Sequence, residues 1–84
     1  MPIHSHEFVE SYQGFLGFGF DRETDENTVV CYLQKFSDDR LMKILKNRLS
    51  DEELEKIFEF VSMLLKKHLT EDEYHSLFLK DQNS

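Results

Sequence analysis

TVVCYLQKF, Thr28 to Phe36, can be built as a helix or as a strand, and the two choices lead to different folds. As a strand it is rich in β-branched and aromatic residues, and FLGFGFD, Phe15 to Asp21, is then its hairpin partner across the polar RETDEN. Alternation is poor, however: Val29 to Leu33 are five apolar residues in succession. An isolated two-stranded hairpin is also a weak unit. As a helix, Val29, Leu33 and Phe36 line up, with Val30 and Tyr32 beside them. The helix is therefore preferred.

Downstream, one pattern occurs three times: FSDDRL at 36–41, LSDEEL at 49–54 and LTEDEY at 69–74. Each joins a large apolar residue, a Ser or Thr, acids, and a second large apolar residue. A helix starts this way. The hydroxyl of Ser37, Ser50 or Thr70 can accept from an unpaired first-turn amide. Glu53 and Glu73 sit where a capping box needs them, whereas Arg40 cannot serve. The paired apolar residues occupy hydrophobic-staple positions, and the acids oppose the positive end of the helix dipole. After Ser50, the residues Leu54, Ile57, Phe58, Val61, Leu64, Leu65 and His68 recur at helical spacing. Lys46 with Arg48, and Lys66 with Lys67, close two helices where cations suit the carbonyl end. The three starts are 13 and 20 residues apart, which is no repeat period.

In the first half, Ser5 can cap a helix bearing Phe8, Val9 and Tyr12, then Phe15 or Leu16, on one side. Gly17 and Gly19 should end it, allowing positive φ where the chain reverses. The expected fold is all-α, a compact bundle of four or five short helices near 5–16, 25–36, 38–48, 51–68 and 71–79. Helix 50–68, with the widest apolar face, is expected at its centre. The alternative is α+β, with a hairpin across 15–36 packed on three helices. The 84 residues are expected to form one domain, 1–84, frayed near 1–4 and 81–84.

Composition narrows the function classes. The chain is 39% hydrophobic with eight Phe and three Tyr, enough for a core. Its net charge of −7 argues against nucleic acid and against anionic lipid, since both need cations. The opening MPIHSHEF lacks the basic and apolar regions of a signal peptide. FVSMLL, 60–65, is too short to span a bilayer. A cytoplasmic protein is expected, with no nucleic acid and no membrane as partner.

GFLGFGFDRETDEN, Gly14 to Asn27, holds all three glycines and four acids. Its order G-x-x-G-x-G is not the dinucleotide fingerprint, and the Gly-Lys-Ser/Thr of a P-loop is missing. The carboxylates that follow would repel a phosphate. DRETDENT fails as a calcium loop, with Glu26 where a Gly is needed and Tyr32 where a bidentate Glu is needed. It reads as a solvated acidic turn, with Thr24 or Asp25 capping the next helix. The aromatics have two uses. Phe tends to be buried, and some of Phe8, Tyr12, Phe15, Phe18 and Phe20 must fill the core. Exposed on a loop, Phe15, Phe18 and Phe20 would make a hydrophobic anchor for a partner.

The segment Lys35 to Arg48 carries five basic and two acidic residues between acidic flanks. Arg40, Lys43 and Lys46 share a helical face that could dock an acidic partner or a second copy of the chain. It could equally form ordinary pairs within the fold. Cys31, alone and in an apolar run, reads as a small core residue and not as a nucleophile. No catalytic motif, cofactor or metal-ligand pattern is present. His68 and His75 lack further ligands for zinc. Were Met1 removed, Pro2-Ile3-His4 could chelate Cu(II) or Ni(II). The expected role is thus a non-enzymatic small acidic interaction protein, an adaptor or regulator that binds another protein through Phe15, Phe18, Phe20, Arg40, Lys43 and Lys46, with self-association open. The alternatives are a metal-handling protein using His4 and His6, and a small enzyme centred on Cys31.

Overall fold

The computed structural model describes residues 6–80. The expected cap Ser5, the ligand candidate His4 and the ends expected to fray, 1–4 and 81–84, lie outside them. The fold is all-α: five helices in chain order, the last continued by a π-helical segment, and no strand among the described residues. The segment Thr28 to Phe36 is helical throughout. The chain divides into two compact units, Met1–Arg48 and Leu49–Ser84.

In the first unit, α1 (Glu7–Ser11) packs on α2 (Arg22–Phe36). A five-residue helix has too few internal bonds to stand alone, so it depends on this contact. Val9 is buried there, and its amide donates to Gln34 Oε1 at 2.9 Å. His6 Nε2 lies 2.8 Å from Ser37 Oγ, at the far end of α2. The Phe8 and Tyr12 rings stack at 5.3 Å. The expected helix over 5–16 is thus cut to one turn and a half. Tyr12 turns extended (φ −71°, ψ 125°), and its hydroxyl donates to the Phe15 carbonyl at 3.0 Å.

Helix α2 starts earlier than the expected residue 25. Asp21, extended at φ −145° and ψ 171°, accepts the Thr24 amide at 2.7 Å through Oδ1. Asp21 is therefore the cap, in place of Thr24 or Asp25. Glu23 and Asp25 fall in the first turn, where their charge suits the dipole. The acidic stretch read as a turn is the start of a helix.

Helix α3 (Asp39–Arg48) shows a similar substitution. Asp38, not Ser37, caps it, its Oδ2 accepting the Arg40 and Leu41 amides at 3.1 and 3.2 Å. The Ser37 hydroxyl is turned back, donating to the Gln34 carbonyl at 3.0 Å.

In the second unit, α4 (Asp51–His68) has the bounds that its sequence predicts. Ser50 Oγ accepts the Glu53 amide at 3.1 Å, and Glu53 Oε1 accepts the Ser50 amide at 2.9 Å. Thr70 and Glu73 repeat this box before α5 (Glu71–Glu73), at 3.2 and 2.9 Å. Tyr74–Phe78 then widens into a π-helical turn, with Tyr74 and Phe78 stacked at 5.4 Å.

Burial corrects one expectation. The width of its apolar face predicts α4 at the centre of the bundle, yet none of its residues is buried. Among the described residues the buried ones are Val9, Thr28 and Cys31, all in the first unit. The periodicity of α4 is as expected, with Leu54, Ile57, Val61 and Leu64 along its apolar stripe exposed.

Candidate functional site

Helix α2 is turned with its small and polar row inward. Thr28 and Cys31 are buried, while Asp25 and Gln34, three residues to either side, are half-buried. Residues spaced by three lie on one face. The apolar residues Val29, Val30, Tyr32, Leu33 and Phe36 are left exposed. The line-up of Val29, Leu33 and Phe36 is real, but that line faces solvent.

The inward row holds the loop between α1 and α2. Thr28 Oγ1 donates to the Gly17 carbonyl and accepts the Gly17 amide, both at 3.0 Å. A buried hydroxyl with donor and acceptor both used carries no desolvation penalty left unmet. Asp25 Oδ1 accepts the Gly19 amide at 2.8 Å and the Phe20 amide at 3.4 Å. Two side chains on adjacent turns of α2 thus pin the backbone at residues 17, 19 and 20.

The glycines fit this frame for different reasons. Gly19 has φ +96°, a region that L side chains rarely adopt. Gly17 does not share the positive φ expected of it. Its need is for space: a Cβ there would come within 2.7 Å of the Phe15 ring and 2.8 Å of the Phe20 ring. Those two rings meet edge to face at 5.1 Å over Gly17.

The result is a pinned backbone with its rings outside. Phe15, Phe18 and Phe20 are 63%, 70% and 66% exposed. None of the three fills the core. The sequence singles out these rings, but not Asp25 and Thr28, which brace them. The signal available was a polar row at Asp25, Thr28 and Gln34, spaced at three and six through an otherwise apolar helix.

Arg40, Lys43 and Lys46 are exposed on α3. The ion pairs found among the described residues are Arg22–Glu26 at 2.6 Å and Lys56–Glu52 at 3.7 Å, so these three cations are in neither. Both pairs are solvent-exposed and contribute little. Arg22 is nevertheless held more basic than usual by its bond to Glu26.

The reactive candidates are placed as follows. Cys31 is 1% exposed. His6 is bonded to Ser37. No group of three or more His, Cys, Asp or Glu residues among the described ones could hold a metal ion. In the second unit an open groove of about 970 Å³ runs beside Phe58, Val61, Leu65, Tyr74 and Phe78. Glu59, Lys66, Lys67 and Glu71 also line it, among a mostly apolar surface. That lining suits apolar contact. No helix among the described residues is long and apolar enough to cross a membrane.

No protein-family model, curated protein or solved structure matches this chain.

Proposed function

We propose that this chain is a non-enzymatic interaction module, an adaptor or regulator, that grips another protein through the loop bearing Phe15, Phe18 and Phe20. The carrying observation is that three phenylalanines stand exposed on a backbone pinned by Asp25 and Thr28. Exposed aromatics on a mobile loop would lose conformational entropy on binding. A braced loop loses less, so more of the burial energy reaches affinity. Aromatic anchors of this kind dominate interface energetics.

Arg40, Lys43 and Lys46 supply a cationic stripe in the same unit, which favours a partner with an acidic rim. The net charge of −7 supports a cytoplasmic protein partner over nucleic acid or anionic membrane.

The test is capture of partners from source-organism lysate on immobilised full-length protein, with Phe18→Ala as control. One protein retained by the wild type and lost by the variant, at unchanged circular dichroism, is the expected result. Equal retention by both removes this loop as the binding face.

A further inference from the structure

Helix α4 carries a self-complementary edge. Leu54, Ile57, Val61, Leu64 and His68 recur at alternating spacings of three and four, the stripe of a two-helix seam. Along one flank of that stripe, seven residues apart, lie Glu53, Phe60 and Lys67. Read in reverse, an acid, an aromatic and a base become a base, an aromatic and an acid. The charges also segregate along the axis: Asp51, Glu52 and Glu53 in the first turn, and Lys66, Lys67 and His68 in the last.

We propose that α4 pairs antiparallel with α4 of a second copy of this chain, about a two-fold axis near Glu59. Leu54 then meets Leu64 of the other copy, and Ile57 meets Val61. Each Glu53 faces a Lys67, so the interface gains two ion pairs. Phe60 meets Phe60 on one flank and Phe58 meets Phe58 on the other. One patch serves both copies, as a two-fold interface requires. A parallel pair would set acid beside acid and base beside base, with helix dipoles aligned unfavourably.

The area is sufficient. Phe58 is 72% and Phe60 59% exposed. At roughly 150–250 Å² per aromatic side chain, four such rings present about 400–650 Å². A specific interface needs about 1,000–1,200 Å² in total, and the seam residues, none of them buried, contribute the remainder. Glu53 spends one carboxylate oxygen on the Ser50 amide, which leaves the other for Lys67. This pairing makes no use of the loop phenylalanines, so Phe18→Ala leaves it intact.

Sedimentation equilibrium of the full chain should show a monomer–dimer equilibrium with a dissociation constant of about 1–100 µM. Phe60→Glu, which places like charges near the axis, should weaken it at least about 100-fold with helicity retained in the monomer. Glu53→Lys and Lys67→Glu should each weaken self-pairing about tenfold, because each sets like charges at both ends. Mixed in equal amounts, those two variants should pair with each other more tightly than either pairs with itself, since both ion pairs are restored, although the bond from the Ser50 amide to Glu53 is not. A chain that stays monomeric to about 100 µM, a dimer that Phe60→Glu leaves intact, or a mixture no tighter than its components overturns the proposal.

Discussion

Thr28→Val removes one oxygen and leaves the side-chain shape almost unchanged. It tests whether that oxygen holds the phenylalanine loop. In the wild type, Thr28 Oγ1 both donates to and accepts from Gly17 at 3.0 Å, with the side chain buried. Each such bond contributes about 0.5–1.5 kcal/mol net, and the orphaned Gly17 groups pay part of their desolvation. Gly17 is half-buried, so water recovers some of that loss. The expected cost is about 1–2 kcal/mol, a factor of about 5–30 in the equilibrium. Thr28→Ser keeps both bonds and loses one methyl group, at a cost of about 0.8 kcal/mol. Urea unfolding followed by circular dichroism gives the stability change. Hydrogen exchange at the Gly17 amide locates it, and protection should fall by the same factor. Binding of any partner that requires Phe18 should weaken in Thr28→Val and not in Thr28→Ser. If Thr28→Val matches wild type in both midpoint and Gly17 protection, the hydroxyl does not brace the loop.

Gly19→Ala should destabilise by about 1–2 kcal/mol through backbone strain alone, because φ is +96° and the space around the position is open; Gly19→Asn should cost less, and equal losses would point to a clash. Ser50→Ala should cost about 1 kcal/mol and fray the start of α4, read as faster exchange at the Glu53 amide, since its capping oxygen is removed. Asp21 should titrate below 3.8, because its carboxylate accepts the Thr24 amide. A depressed folded pKa means that its stabilisation is complete above the unfolded value and is lost as pH falls through the folded one. The side-chain carbon resonance of Asp21 reports this directly, and a midpoint at or above 3.8 contradicts the cap.

What the sequence made legible divides by range. The α4 and α5 starts were readable because a capping box is complete within four residues and needs no tertiary partner. At FSDD the local code offers two caps, Ser37 and Asp38. The choice fell to Asp38 because Ser37 is engaged with Gln34 and His6, the latter 31 residues away. Asp21 took the α2 cap from Thr24 and Asp25 for a related reason. Asp25 is committed to the Gly19 and Phe20 amides, and Thr24 supplies the amide that Asp21 accepts.

Periodicity tells which residues share a face, but not whether anything covers it. Val29, Leu33 and Phe36 on α2, and Leu54, Ile57 and Val61 on α4, are aligned as their spacing predicts, and all are exposed. The glycine-aromatic stretch shows the same limit. Its bend was legible from the glycines. Its outward rings were not, because the residues that hold the loop lie six and eleven positions downstream.

The most direct test of the interaction surface is the stability of Phe18→Ala, measured beside Val9→Ala by urea unfolding. Phe18 is exposed and Val9 is buried. Phe18→Ala is expected to stay within about 0.5 kcal/mol of wild type, as surface substitutions do, while Val9→Ala loses about 1–3 kcal/mol. A loss of about 3–5 kcal/mol for Phe18→Ala would show that the ring is core, and the loop could not then be the face that binds a partner.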